Sequence, residues 1–373
     1  MTIYDVAIIG GGLAGCSAAL HARLMGASVI LLERGRCGAQ ASGVNYGGVR
    51  QQGRHPAELA LSVRSQKIWE SLPDLIGCDC EYKRSGHLKL ARDDHDMAEL
   101  LAYQKVARQY GLNLEIVDAD VLRRRFAFLG HHFAGACLCR EDGQANPRLV
   151  APAFARRAKL LEAEIFEGAG VVRAAKRNGL FDIQLDGLKD PIRSRRLINT
   201  AGAWGSAIAH MFGDRVDEDV MAPNMCVTEP IPPLIGPNIG ICGGSIYLRQ
   251  AANGSVIFGA GLAYANRETQ RSRPLAGVTS AAAKQAIKVV PELANALLIR
   301  TWTGIEGRMP DGLPIIDISP TTQDLVHAFG FSGHGFQLGP ATGAVLAELS
   351  LNGGTDTDIA GLSLARFSNS HSQ

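Results

Sequence analysis

The segment Asp5-Val6-Ala7-Ile8-Ile9-Gly10-Gly11-Gly12-Leu13-Ala14-Gly15 leaves this chain few folds to choose from. Its first five residues form a short, β-branched-rich run that reads as a buried strand. That run breaks directly into Gly10-x-Gly12-x-x-Gly15, ahead of an Ala/Leu-rich helix reaching Met25. In such a unit the first glycine makes the tight turn, the second lets a pyrophosphate approach bare backbone, and the third lets helix and strand pack closely. The free N–H groups and the positive end of the helix dipole then face the phosphates. A second apolar strand, Ser28-Val29-Ile30-Leu31-Leu32, ends in Glu33, 18 positions after Gly15, where an acceptor for ribose hydroxyls belongs. A GxGxxG alone says little. Strand, glycines, helix, strand and acid in this order predict a dinucleotide site at the N-terminus.

The length of 373 residues exceeds one simple domain, so two domains are expected. Hydrophobic residues at 46% and charged residues at 20% are ordinary for a globular chain. Lys plus Arg number 38 against 36 Asp plus Glu, and a formal charge of +2 offers no field for nucleic acid or anionic lipid. No uninterrupted apolar run reaches the roughly 18 residues that a spanning helix needs. Residues 6–32 imitate a signal sequence, but the glycines and Glu33 explain that run and no basic leader precedes it, so the expected location is cytoplasmic. Among the eight cysteines, Cys78-x-Cys80 and Cys137-x-Cys139 are CxC pairs, whereas zinc and iron–sulfur sites usually show CxxC-type spacing. Buried free thiols are expected, and no metal centre of the chain's own.

After Glu33, residues 34–50 are small, glycine-rich and irregular, which predicts a loop that lets backbone approach a ligand. Helical periodicity covers 55–75 and 93–110, and residues 117–120 read as the start of another short helix. Residues 82–91 alternate as a strand around Gly86, and 133–139 read as a second strand. A turn-rich stretch follows, then a helix over 148–161. Short strands are expected at 164–167, 170–173 and 181–185. The strand 196–199 breaks into Thr200-Ala201-Gly202-Ala203-Trp204-Gly205, which again brings backbone to a ligand. The 222–262 segment is β-rich with a hairpin turning at Asn253-Gly254. A helix over 275–298 is interrupted by Pro291. A strand at 325–329 leads to a glycine-rich turn, 330–340, feeding a helix over 341–351.

The order of four motifs resembles the FAD-dependent amine oxidoreductases of the D-amino-acid oxidase superfamily, which include glycine oxidase, sarcosine oxidase and the β subunits of multi-subunit dehydrogenases. The motifs are GGGLAG near residue 10, ASGVNYGG at 41–48, NTAGAW at 199–204, and GRMPDGLPIID with GFSGHGFQLGP between 307 and 340. The resemblance implies an α/β fold: a Rossmann-type FAD domain of the GR2 type from 1–82, 143–215 and 301–373. A discontinuous α+β substrate domain on an antiparallel sheet would comprise 83–142 and 216–300. It assigns Gly10, Gly12, Leu13, Ala14, Gly15, Glu33 and Arg34 to the ADP half. Ala41, Ser42, Asn45, Gly47 and Gly48 would lie along the pyrophosphate and flavin, and Val172 would meet the adenine through its backbone. Ala201, Gly202, Trp204 and Arg308 are further cofactor contacts. Gly333, His334, Gly335, Phe336 and Gln337 would close over the isoalloxazine near the final helix dipole.

Departures from that pattern carry information. No cysteine follows Cys242, so FAD should be held non-covalently. Gln337 stands where monomeric sarcosine oxidases carry a lysine, and Glu306 where glycine oxidase carries an arginine, which removes two cationic anchors for a substrate carboxylate. Arg50 and Arg249 are the replacement candidates, although Arg50 is equally open as a phosphate or surface contact. Tyr247 either covers the substrate or merely packs. Glu306 either pairs with Arg308 or Arg50, since a buried lone carboxylate is costly, or receives a cationic substrate arm. His334 is expected to hydrogen-bond flavin or backbone rather than act as a base.

The resemblance implies hydride transfer from the α-carbon of a secondary amino acid to flavin N5. Candidate substrates are D-hydroxyproline, proline, sarcosine or an opine, whose carboxylates and guanidinium would suit both Arg50 and Glu306. It also implies a β subunit alongside an α subunit, with FMN and an iron–sulfur centre entering only through partner subunits. Its rivals are a self-contained glycine or D-amino-acid oxidase making hydrogen peroxide and a non-catalytic flavin-binding scaffold. An NAD-dependent dehydrogenase leaves the C-terminal motif unexplained.

Overall fold

The computed structural model describes residues 2–371. Two eight-stranded sheets organise it. In the first, Ile3–Ile9 lies between Ile192–Asn199 and Val29–Glu33, parallel to both, and Glu164–Glu167 and Leu325–Phe329 extend the sheet in parallel on either side. Parallel central strands must be covered on both faces, and the alternation shows how. Val6, Ile8, Val29 and Leu31 join the core under the helices Leu13–Leu24 and Gly335–Asn352. Ala7, Ile9, Ile30 and Leu32 join the opposite core with Phe181 and Ile183 from the antiparallel strand Leu180–Leu185.

The second sheet runs Leu298–Trp302, Pro223–Pro230, Ser255–Leu262, Tyr247–Gln250, Asn238–Ile241, His87–Ala91, Gly135–Cys139, Leu114–Asp118. All of its pairs are antiparallel except Asn238–Ile241 with His87–Ala91. Helix Ala276–Val289 packs into the core that covers one face, and helix Asp94–Gln109 into another at the far end. The expected α/β architecture with an antiparallel second sheet is therefore present. No helix among the described residues is long and apolar enough to cross a membrane.

Three local expectations need correction. Residues 117 and 118 close the edge strand Leu114–Asp118 instead of opening a helix. Asp118 then caps helix Ala119–Arg125 by accepting from the Val121 N–H at 2.8 Å. The hairpin at Asn253-Gly254 exists, but with a four-residue loop between Gln250 and Ser255 rather than a two-residue turn. The final helix begins at Gly335, six positions before the expected start and through Pro340. Its glycine- and proline-rich first turn is held from outside. Trp69 Nε1 donates to the Gln337 carbonyl at 2.9 Å, Ser65 Oγ donates to the same oxygen, and the Gln337 amide exchanges hydrogen bonds with Ser62.

The first and last helices approach backbone to backbone. A Cβ on Gly343 would lie 2.3 Å from Ser17 Cβ and 2.5 Å from the Ala18 nitrogen, and Ser17 Oγ donates to the Pro340 carbonyl at 2.8 Å. Gly343→Ala is expected to destabilise the protein by about 2 kcal/mol through overpacking. Gly277→Ala, on an exposed helical turn with open space around it, should be neutral or gain up to about 1 kcal/mol. Urea unfolding of both variants checks this; comparable losses would contradict the packing account.

Candidate active site

Two hollows lie along the seam between the sheets. The first, about 150 Å³, opens at the carboxyl ends of Ile3–Ile9 and Val29–Glu33. Gly10 turns there with φ of +106°, and a Cβ would meet the Thr200 carbonyl at 2.3 Å, so both conformation and space require glycine. Gly12 offers no capping side chain to helix Leu13–Leu24, and the Leu13 N–H donates to Ser42 Oγ at 2.9 Å. With the Leu13 N–H taken by Ser42, the rest of the first turn and the positive end of the helix dipole suit an anion. Glu33 accepts from the Gly11 N–H at 2.7 Å and from the Gly35 N–H at 2.6 Å. Arg34 stacks over Trp204 with its guanidinium carbon 4.0 Å from the ring centroid. Ala41, Ala201 and Gly202 complete the lining. Here Val171, not Val172, faces inward, and the Val172 side chain is 54% exposed.

The second hollow, about 420 Å³, continues from the first across Ala41, Val44 and Asn45 and is bounded by Gly48, Gly304, Gly333 and His334. Its far wall is built from the second sheet. Asn45 holds its own loop, donating to the Ala41 and Ser42 carbonyls and accepting from the Gly47 N–H. Gly47 shapes this turn without lining the cavity. A Cβ on Gly47 would meet the Ala145 carbonyl at 2.3 Å.

Cations gather at one end. Arg50, Arg54 and Lys89 all line the cavity. Arg54 is 3% exposed, its Nε donates to the Arg50 carbonyl at 3.1 Å, and its Nη1 has no hydrogen-bond partner among the described residues. Burial, reinforced by Arg50, pulls the Arg54 guanidinium down to about 9 and lowers the Lys89 ammonium as well. Two carboxylates stand behind them. Asp142 accepts from the Gln51 and Gln52 N–H groups and is raised to about 6 by burial. Burial would raise fully buried Glu58 too, but its bond with His334 and the nearby Arg54 outweigh that and hold it low.

His334 sits at the N-cap of the last helix with Nδ1 2.7 Å from Glu58 Oε1. Burial and Arg54 lower it to about 4, so at neutral pH the imidazole is uncharged. The ionised Glu58 selects the Nδ1–H tautomer. It is an acceptor at Nε2, and its Nδ1 partner is the Glu58 carboxylate, a contact absent from the sequence expectation of a flavin or backbone hydrogen bond.

The opposite end is different. Tyr247 lines the cavity, stacks on Tyr46 with centroids 4.7 Å apart, and donates to Met225 Sδ at 3.3 Å. Glu306, on the short strand Glu306–Arg308 paired with Asp219–Met221, faces the cavity beside it. The expected ion pair of Glu306 with Arg308 or Arg50 does not form. Arg50 Nη1 donates to the Gln52 carbonyl, and Arg308 is exposed and lines neither hollow. Burial pushes the Glu306 carboxyl up to about 7.

Other expected residues lie elsewhere. Arg249 is taken up by Gln144 and the Tyr46 carbonyl in a separate groove. Phe336 packs on Trp69 at 5.0 Å, and Gln337 is buried against Ser62, so neither side chain reaches the cavity, and Gly335 serves as the first residue of the helix. The residues that sequence reading missed are Arg54, Glu58 and Lys89. His87 and Lys89 share one face of an alternating strand while Leu88 and Leu90 enter the core, and that period-2 signal could have exposed them.

An uncapped glycine-rich helix start, an acid at the second strand and a second cavity that shares Ala41 with the first suit a dinucleotide carrying a further ring system. The match to known families agrees: residues 5–349 fit the FAD-dependent oxidoreductase family DAO. The chain belongs to this family. It is 27% identical over 371 residues to the β subunit of sarcosine oxidase from Rhizobium meliloti strain 1021, covering 98% of this chain and 88% of that protein. It is 26% identical over 378 residues to an opine oxidase subunit from Rhizobium meliloti, covering 97% of each. The L-proline dehydrogenase structure from P. horikoshii superposes with a TM-score of 0.91 at 26% identity, covering 98% of each chain. The family places an enzyme here, an FAD-dependent oxidoreductase whose relatives oxidise amino acids.

Glu306→Gln tests the cavity's electrostatics. The folded carboxyl titrates near 7 against 4.5 unfolded, so its burial penalty is absent below 4.5, grows in between and is complete above 7. Without substrate, the variant is expected to melt roughly 3 °C higher than the parent at pH 8, the gain shrinking as pH falls. A gain independent of pH would contradict the assignment.

Proposed function

We propose that this chain dehydrogenates the C–N bond of a secondary amino acid, serving as the flavin-carrying β subunit of a cytoplasmic dehydrogenase complex. The observation that carries the reading is the cationic end of the second cavity. A buried Arg54 nitrogen without a partner, flanked by Lys89 and Arg50, is what a substrate carboxylate requires. FAD, when bound, supplies the hydride acceptor, at flavin N5. No cysteine lines either hollow among the described residues, in line with non-covalent binding.

In this reading the adenine half rests on Gly10, Gly12, Leu13, Ala14, Gly15, Glu33, Arg34 and Trp204, and the flavin half on Ala41, Ser42, Asn45, Gly48 and Gly333. The chain's own contribution is orientation and exclusion of water. Arg54 and Lys89 hold the carboxylate, Tyr247 covers the substrate, and neutral His334 accepts a hydrogen bond without adding charge. The β-subunit role is supported by nearly full-length likeness to the sarcosine oxidase β subunit and to the opine oxidase subunit. An α subunit would then bring any FMN or iron–sulfur centre. Eight free thiols among the described residues fit a reducing compartment.

Anaerobic mixing of the FAD-loaded protein with glycine, sarcosine, proline, both hydroxyproline epimers and opines, followed by flavin absorbance, tests this. Bleaching by a secondary amino acid is expected, with slow recovery when air is readmitted. Bleaching by none of them, with FAD retained, would contradict the reading, and fast recovery with peroxide would make the chain a self-contained oxidase.

A further inference from the structure

We propose that Glu306 is the ammonium anchor of the substrate site, facing a carboxylate anchor formed by Arg54 and Lys89 across the same cavity. This rests on the amino-acid reading above and specifies how the substrate lies.

Glu306 is held on a strand whose partner residue is Met221, and it shares its end of the cavity with Tyr247 and Met225. Its carboxylate has no hydrogen bond or ion pair among the described residues. Glu306 is half-buried, so its ionised carboxylate is only partly hydrated, and its position beside the cavity makes a ligand cation the partner that the described residues do not supply. Tyr247 and Met225 are the neighbours of Glu306 at that end, whereas Arg50 and Arg54 lie near His334 at the other.

The charge balance specifies the ligand further. Arg50, Arg54 and Lys89 are opposed by Glu58 and Asp142, leaving one positive charge at that end, and Glu306 adds one negative charge at the other. A ligand with one carboxylate and one ammonium neutralises both. A carboxylate turned towards Glu306 is repelled, so in a substrate with two acid groups both must share the Arg54 and Lys89 end. The titratable and charged groups around Glu306 are Tyr247 beside it, Arg308 and Asp219 on its strand pair, Glu218 packed against Gly307 and, across the cavity, His334, His87, Lys89, Arg50 and Arg54. His334 and His87 are kept neutral by burial. Glu218, raised by burial to about 7 as well, lies behind Gly307 and does not line the cavity. Among the lining residues at this end Glu306 is therefore the group that changes charge between pH 6 and pH 8: neutral below about 7 and attractive to an ammonium above it.

Two isosteric ligands isolate this charge. Glycine betaine and 3,3-dimethylbutyrate share shape and carboxylate and differ in a quaternary nitrogen against a quaternary carbon. Neither can be dehydrogenated to an imine, so binding to the FAD-loaded protein is read at equilibrium, from the flavin absorbance change and by calorimetry. At pH 8.5 betaine should bind on the order of tenfold more tightly, and the preference should fall towards parity at pH 5.5. Glu306→Gln should show parity or reversal at both pH values, Glu306→Asp should keep a weakened preference, and Lys89→Met should weaken both ligands alike. FAD content and melting temperature confirm that each variant is folded. Parity in the parent protein at pH 8.5, a preference that survives Glu306→Gln, or binding of neither ligand by FAD-loaded protein would overturn the proposal. Loss of the amine-oxidising reading would instead appear as flavin that no amine bleaches, which leaves the betaine comparison untouched.

Discussion

The buried carboxylate of Glu58 joins parts of the chain that are otherwise far apart. It accepts from the His55 N–H at the start of one helix and from His334 Nδ1 at the start of the last, 276 residues away. Both bonds are part-buried, but the Glu58 carboxylate itself is fully buried, which makes loss of its partners costly. Arg54, one position before His55, supplies the compensating charge. Two consequences follow from this one group: the His334 loop is tied to the start of helix Pro56–Glu70, and the imidazole keeps a defined tautomer. The seam between the sheets is therefore built by the same residues that give it its chemistry.

The dinucleotide end was readable because its rules are local. Strand period, three glycines and a terminal acid sit within 33 residues, and each has a conformational or steric reason visible in the residue itself. The second cavity was only half readable. Tyr247, Glu306 and His334 line it, but the cations do not come from Arg249 or from the lysine position now held by Gln337. They come from Arg50, which the sequence reading does name, and from Arg54, before a helix, and Lys89, within a strand that otherwise looks like core. A buried charge has no sequence signature of its own, because its neighbours are chosen by packing across the chain. The final helix was misjudged for a related reason. Its glycines and Pro340 argue for a loop, and only Trp69, Ser65 and Ser62, donated by another helix, make a helical start stable there. Tertiary contacts override propensity most easily where propensity is weak.

The departures from the amine-oxidase pattern form one coherent change. Gln337 and Glu306 stand where the resemblance implies a lysine and an arginine, yet the cavity keeps cations in Arg50, Arg54 and Lys89 and carries the Glu306 carboxylate at its other end.

The most direct test is a crystal structure of the protein with FAD and glycine betaine. The account predicts the isoalloxazine between the Ala41–Val44 turn and the Gly304 and Gly333 backbone, the ligand carboxylate within hydrogen-bond reach of Arg54 Nη1 or Lys89 Nζ, and its nitrogen directed at Glu306. A carboxylate bound away from Arg54 and Lys89, with the nitrogen turned from Glu306, would contradict it.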